Sequence, residues 1–257
     1  MEITNMNPAT SKPHLGSAHQ AISATAGHIY ADGTYLSKNP TWHEEHSSWK
    51  AKQVDVMLRK HGIKPSTIAE VGCGAGEILS CLASIYGSDV RCFGYEVSPQ
   101  AFELCRPKET KNIHYCLKDL FLEPEDITFD VVMAIDVFEH VEDYIGFVRK
   151  LKGRAKYKIF HIPLDISVQL VMRGTVFQKL RDNIGHIHYF TKETALATLK
   201  SAGYEIVDCF YTRSALELGR SDIANSLLRI PRGVLFSIHQ GLTARILGGF
   251  PLLVLAK

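Results

Sequence analysis

A chain of 257 residues, 46% hydrophobic and 22% charged, with a formal charge of +2, has the composition of an ordinary soluble globular protein. That length buries a full core without disulfide or metal staples and suits one α/β domain with insertions. The net charge argues neither for nor against nucleic acid, but a strongly basic stretch is missing, so no nucleic-acid partner is expected.

Residues 1–28 are rich in Ser, Thr, Ala, Asn and Gly without a sustained period, and predict a tail. The next stretch, to Ser48, is dense in aromatics and histidines, including Tyr30, Tyr35, Trp42, His43 and His46. It is too polar for a core strand and too aromatic for a linker, and suits either a lid or an aromatic-anchored surface segment. A helix is predicted over 47–61, with Val54, Met57 and Leu58 on one face and Gly62 as its stop.

Thr67 to Gly76, TIAEVGCGAG, then runs an apolar strand into glycines at Gly72, Gly74 and Gly76. An amphipathic helix follows at once with Ile78, Leu79, Leu82 and Ile85. Strand, glycine turn and helix N-terminus bring backbone close to a nucleotide-like ligand in parallel α/β sheets. Further strands are predicted at 90–97, 113–117, 129–135 and 157–162, with helices from 98 and over 143–152. An inserted helix is expected over 165–183, a short extended piece over 185–190 (GHIHYF) and a helix over 191–202. A strand at 204–211, a helical insertion over 213–248 around Pro231 and a last strand at 250–256 complete the chain. The domain plan is a tail and lid over 1–46 and a core domain over 47–257, with insertions near 163–189 and 213–248.

Six cysteines at positions 73, 81, 92, 105, 116 and 209 include no pair at C-x-x-C spacing and read as reduced thiols. No apolar run reaches the ~18 residues of a spanning helix, and the N-terminus lacks a basic, then apolar, signal pattern. Cytoplasm is the expected compartment.

Alternating strands and helices predict a doubly wound, mostly parallel sheet whose ligand sits beyond the carboxyl ends of the strands. Those ends carry Gly72 to Gly76, Glu96, Asp119, Asp136 and His161. A dinucleotide fingerprint would need a third glycine where Glu77 stands, and no G-K-[ST] follows. Glu96 suits ribose hydroxyls and Asp119 an adenine amine. A ligand with adenosine, no phosphate and an amino-acid tail fits best.

EVGCGAGEIL, YEVSPQAFE and FDVVMAIDVFEHVED together resemble the class I S-adenosylmethionine-dependent methyltransferases, particularly the small-molecule group that includes ubiquinone-pathway O-methyltransferases. The resemblance covers about residues 47–212 and the final strand. It implies a seven-stranded Rossmann-like sheet with an antiparallel last strand and S-adenosyl-L-methionine as cofactor. It implies that Glu70, Gly72 and Gly74 hold the methionine part, with Gly76 of the same turn also binding the cofactor, Glu96 the ribose and Asp119 the adenine edge. Asp136 would lie beside the sulfonium, and the segment with Tyr35 and Trp42 would close over the cofactor.

Oxygen acceptors of ordinary pKa need a base. His140, His161, His186 and His188 are candidates, with His161 and His186 favoured among them; for each histidine taken singly, a structural hydrogen bond is the competing and commoner role. Asp136-x-x-Glu139-His140 could share a divalent ion, as E-x-x-E-H does in related methyltransferases, but the expectation is no metal. The insertion from Arg213 interleaves arginines with apolar residues, which suits a cap or dimer contact and allows peripheral membrane contact. The expected function is methyl transfer to a small-molecule substrate, with a hydroxyl oxygen as the favoured acceptor. The alternatives are a metal-assisted RNA 2′-O-methyltransferase, a NAD-type oxidoreductase and a non-catalytic cofactor-binding protein.

Overall fold

The computed structural model describes Tyr30, residues 33–218 and residues 223–257. The expected tail over 1–28 lies outside the described residues.

Strand β4 (Phe129–Ile135) lies at the middle of one seven-stranded sheet and shows why the sheet has two cores. Its residues alternate between the faces, so Val132 and Ala134 join one buried cluster while Val131, Met133 and Ile135 join the other. The remaining strands are β1 (Thr67–Val71), β2 (Arg91–Glu96), β3 (Ile113–Leu117), β5 (Ala155–Ile162), β6 (Ile206–Tyr211) and β7 (Leu252–Ala256). Their order is β3-β2-β1-β4-β5-β7-β6. The pairs from β3 through β5 are parallel, and β7 runs antiparallel to both β5 and β6. The sheet is thus the doubly wound, mostly parallel one expected, with the antiparallel last strand.

Helices cover both faces. In chain order they begin with α1 (Thr34–Lys38), α2 (Ser47–Lys60), α3 (Glu77–Tyr86), α4 (Pro99–Cys105) and α5 (Tyr144–Leu151). On one side, α2 contributes Ala51, Val54, Met57 and Leu58, and α3 contributes Ile78, Leu79 and Leu82. On the other, α5 contributes Phe147, Val148 and Leu151 beside Ala195 and Leu199 of α8 (Lys192–Ser201). The Ser98 hydroxyl caps α4 with Pro99 at its first position, and Asp143 caps α5 through the Gly146 N–H.

Described residues of both expected insertions, among them Ile184, His186, Ser214 and Leu218, border the cavity beyond the strand ends. The helix expected over 165–183 is broken into α6 (Val168–Met172) and α7 (Val176–Ile184), because Gly174 turns left-handed at φ +65°. The GHIHYF piece makes no strand; instead the Ile187 and His188 N–H groups donate to the Glu139 carbonyl at 3.0 and 3.1 Å. The second insertion holds α9 (Ser214–Glu217), α10 (Ile223–Ile238, containing Pro231) and α11 (Gln240–Leu247). Phe236 stacks on Phe250 at 4.3 Å and anchors this unit beside Tyr211. Ile230, Val234 and Ile238 remain exposed, so the interleaved apolar residues only partly pack the cap. The cysteines are free as expected, although Cys81, Cys116 and Cys209 are only half-buried.

Candidate active site

Parallel order reverses between β1 and β4, and a cavity of about 610 Å³ opens beyond the strand ends around that point. β1 feeds Gly72, Cys73 and Gly74 into its floor. Glu96, the last residue of β2, accepts the Gly74 N–H on Oε2 at 2.8 Å. Its Oε1 accepts the N–H groups of Val97 at 2.9 Å and Ser98 at 2.8 Å. Burial pushes the Glu96 carboxyl up, and these N–H groups pull it part of the way back. The cradle therefore comes with its carboxylate already oriented.

Asp136 follows β4 at φ +55°, a left-handed conformation that non-glycine residues seldom adopt. The turn is clamped to β5 twice. Its backbone N–H donates to the His161 carbonyl at 2.9 Å, and its Oδ1 accepts from His161 Nδ1 at 2.6 Å. Oδ2 accepts from Lys50 Nζ of α2 at 2.8 Å. Burial pushes the Asp136 carboxyl up, but His161 and Lys50 outweigh it and hold it far below the carboxylate range. Burial likewise opposes the Lys50 charge, and Asp136 more than restores it.

Glu70 lies behind the floor, 1% exposed, and its Oε2 has no hydrogen-bond partner among the described residues. Burial, against the pull of Lys50 and with the push of Glu96, raises its carboxyl to about 8. Asp119, just past β3, lines the cavity while its Oδ1 accepts the Phe121 N–H at 2.9 Å.

The aromatic segment roofs this floor. Tyr30 and Tyr35 rings lie 4.7 Å apart, and Tyr35 and Trp42 rings 4.6 Å apart. A Cβ on Gly74 (φ +54°) would stand 2.8 Å from Trp42 Cδ1, so the indole rests on the glycine turn itself. The Tyr30 hydroxyl donates to the Ile184 carbonyl at 2.8 Å and ties the roof to the end of α7. Gly76 lies outside the cavity. It caps α3, and a Cβ there would meet Cys105 Cβ and the Tyr115 ring at 2.7 Å. In this arrangement the lack of a side chain at Gly76, also expected to bind cofactor, serves packing.

The histidines separate. His161 is 3% exposed and engaged at both nitrogens, with Nε2 at 2.9 Å from the Thr212 hydroxyl. It holds Asp136 and has no nitrogen left for an acceptor's proton, contrary to the expectation of a base. His186 also lines the cavity, and its Nδ1 donates to Asp165 Oδ2 at 2.7 Å. His140 packs edge-on to His186 at 4.8 Å, its Nδ1 facing the Gly185 carbonyl and the Tyr30 hydroxyl. Burial first, and His186 next, push His140 down to about 3, so it is a neutral ring. Glu139 is fully buried, and neither carboxylate oxygen has a hydrogen-bond partner among the described residues. One Glu139 oxygen and one nitrogen each of His140 and His186 lie within 4.8 Å of one another.

Ten of the eleven residues expected from sequence line the one cavity: Glu70, Gly72, Gly74, Glu96, Asp119, Asp136, Tyr35, Trp42, His161 and His186. Lys50, Asp165 and Thr212 were not expected. Lys50 sits on a helix whose sequence reports only an apolar face, and its partner is far along the chain. Thr212 follows a strand that enters the sheet out of sequence order. For Asp165, its place three residues beyond the end of β5 was a usable signal.

A family model described as a methyltransferase domain matches residues 42–208. The chain belongs to the class I S-adenosylmethionine-dependent methyltransferases. Among curated proteins, norajmaline N-methyltransferase of Rauvolfia serpentina is 32% identical over 114 residues, covering 39% of this chain and 38% of that protein. The ubiquinone biosynthesis O-methyltransferase of Methylocella silvestris is 36% identical over 86 residues, covering 32% of each. Both matches span less than half of the relative's own length. Among solved structures, magnesium protoporphyrin IX methyltransferase from Synechocystis PCC 6803, with bound SAH (S-adenosylhomocysteine), has a TM-score of 0.60 at 14% identity. That alignment covers 89% of this chain and 98% of the other. Among the described residues no helix is long and apolar enough to cross a membrane.

Proposed function

We propose that the chain binds S-adenosylmethionine in the rim cavity and transfers its methyl group to a small-molecule acceptor, with a hydroxyl oxygen favoured. One observation carries this reading: the glycine turn and the Glu96 carboxylate meet at 2.8 Å, with the orphan Glu70 oxygen behind them and Asp136 at the next strand end. Glu96 and its three N–H partners would hold the ribose hydroxyls, and Asp119 would face the adenine edge. Glu70 and the Gly72–Gly74 turn would hold the methionine part, whose ammonium group supplies the partner that Glu70 Oε2 lacks.

The bound cofactor supplies the electrophilic methyl group; the protein aligns the acceptor and excludes water. Asp136, kept ionised by Lys50 and His161, would set a negative carboxylate beside the sulfonium and so help to bind and orient it. Asp165, as an acceptor for Nδ1, would keep the His186 proton there and leave Nε2 able to take a proton from the acceptor. Tyr30, Tyr35 and Trp42 exclude water. Methyl transfer from labelled S-adenosylmethionine to a panel of phenols, aliphatic alcohols and amines tests this. His186→Ala is expected to lower turnover on hydroxyl acceptors by about 10²- to 10⁴-fold without weakening cofactor binding. Full activity in that variant would remove the base assignment.

A second reading rests on Glu139. A fully buried carboxyl without a hydrogen bond is costly, and the neighbouring His140 and His186 nitrogens complete a cation-binding donor set. Glu139, His140 and His186 would then hold a divalent ion, which would polarise the acceptor oxygen and make transfer metal-assisted, as in the RNA 2′-O-methyl reading. Turnover that survives a strong chelator and is unchanged in Glu139→Gln would remove it.

A further inference from the structure

A second cavity, of about 380 Å³, lies between the two insertions and shares Pro163, Ser214 and Pro251 with the active-site cavity. Arg173, at the end of α6, and Arg232, on α10, both line it. Asp165 is the one carboxylate among the described lining residues, and its Oδ2 is taken by His186 Nδ1 at 2.7 Å. Two guanidinium groups therefore face one cavity without an acidic partner of their own among the described residues.

The hydrogen bonds sharpen this. With its amide turned to satisfy both ends, Gln169 donates to the Leu247 carbonyl at 2.6 Å and accepts from Arg173 Nη2 at 2.8 Å. That orientation removes the long 3.4 Å contact from Arg232 Nη2 to Gln169 Oε1. Arg232 Nε is buried with no partner at all among the described residues. A buried guanidinium N–H without an acceptor costs stability, and a nearby second cation adds to the cost. Burial, and then Arg173, push the Arg232 guanidinium below its ordinary range. An anion between the two guanidiniums would supply the missing acceptor and offset both costs.

We propose that Arg173 and Arg232 form a subsite for a phosphate or carboxylate group of the methyl acceptor. Planar guanidiniums are the side chains suited to bidentate binding of either group. The shared wall at Pro163, Ser214 and Pro251 sets the subsite next to the rim cavity, so an acceptor anchored there by its anionic end presents its other end toward Asp136 and His186. The Asp165–His186 pair spans the same boundary, with Asp165 lining the anion cavity and His186 the reaction cavity. The acceptor assignment rests on the methyltransferase reading; the anion site itself does not.

The test is calorimetric titration of the full chain with inorganic phosphate and, separately, with acetate, at constant ionic strength, with and without saturating S-adenosylhomocysteine. Saturable binding of one anion per chain is expected, and the preferred anion names the group. Arg232→Gln and Arg173→Gln are each expected to weaken it by about tenfold or more, while S-adenosylhomocysteine affinity stays within about twofold. Arg232→Lys, which keeps the charge but not the fork, is expected to fall between. Anion binding equally strong in wild type and both Gln variants, or no saturable binding of either anion, overturns the subsite. Failure of S-adenosylhomocysteine to bind while phosphate binds would sink the cofactor reading and leave the anion site standing.

Discussion

Lys50 Nζ lies 2.8 Å from Asp136 Oδ2 and joins the N-terminal helix of the core domain to the strand end at the centre of the site. The pair is largely buried, with side chains 18% and 25% exposed. Replacing Lys50 with Met keeps the aliphatic stem and removes the charge, so Asp136 retains only His161. Thermal unfolding is expected to show a loss of about 1–3 kcal/mol near neutral pH. Because the Asp136 carboxyl is held far below its unfolded value, its contribution is present above about pH 4 and is lost as the pH falls below that value. The difference between Lys50→Met and wild type should therefore shrink in acid. An equal difference across the acid range would contradict the assignment.

Glu70 gives the opposite pH dependence. Its carboxyl is raised to about 8, while an unfolded carboxyl titrates near its ordinary value. Between those limits the folded state keeps a proton that the unfolded state has released, so cofactor-free stability falls as pH rises. Glu70→Gln has no such proton. The variant and wild type should be of similar stability at about pH 5, with the variant the more stable at about pH 8.5. A gap independent of pH would show that Glu70 is an ordinary carboxyl.

Gly74 tests the contact between the glycine turn and the roof. An alanine there would carry its Cβ at φ +54° and within 2.8 Å of Trp42 Cδ1. Backbone strain alone is worth about 1–2 kcal/mol, and the indole must also move. Gly74→Ala is expected to lower the unfolding temperature, shift tryptophan fluorescence toward solvent and abolish S-adenosylhomocysteine binding. Unchanged fluorescence together with unchanged binding would place Trp42 away from the turn.

The sheet was readable because strands and helices alternate, β4 carries a near-continuous apolar run, and Glu96, Asp119, Asp136 and His161 lie at or within two residues of strand ends. The glycine turn was readable for its spacing, but not for the division of labour within it. Gly72 and Gly74 line the cavity, whereas Gly76 is spent on packing against Tyr115. Nothing local distinguishes those roles, since all three need positive φ. His161 looked like a base because of where its strand ends. Its neutralisation as a proton acceptor comes from Thr212, which only the antiparallel return of β6 and β7 brings alongside. Lys50, Arg173 and Arg232 escaped for the same reason: each acquires its meaning from a partner or cavity assembled across the fold.

The most direct test is calorimetric titration of the full chain with S-adenosylmethionine, S-adenosylhomocysteine and NAD, repeated on Glu96→Gln. Glu96 holds the Gly74 N–H and would receive the ribose hydroxyls, so the variant replaces a charged acceptor at both contacts. The account predicts saturable binding of both sulfur ligands, none of NAD, and a loss of about tenfold to a hundredfold in Glu96→Gln. Tight binding of NAD, or S-adenosylmethionine affinity unaltered in Glu96→Gln, would contradict it.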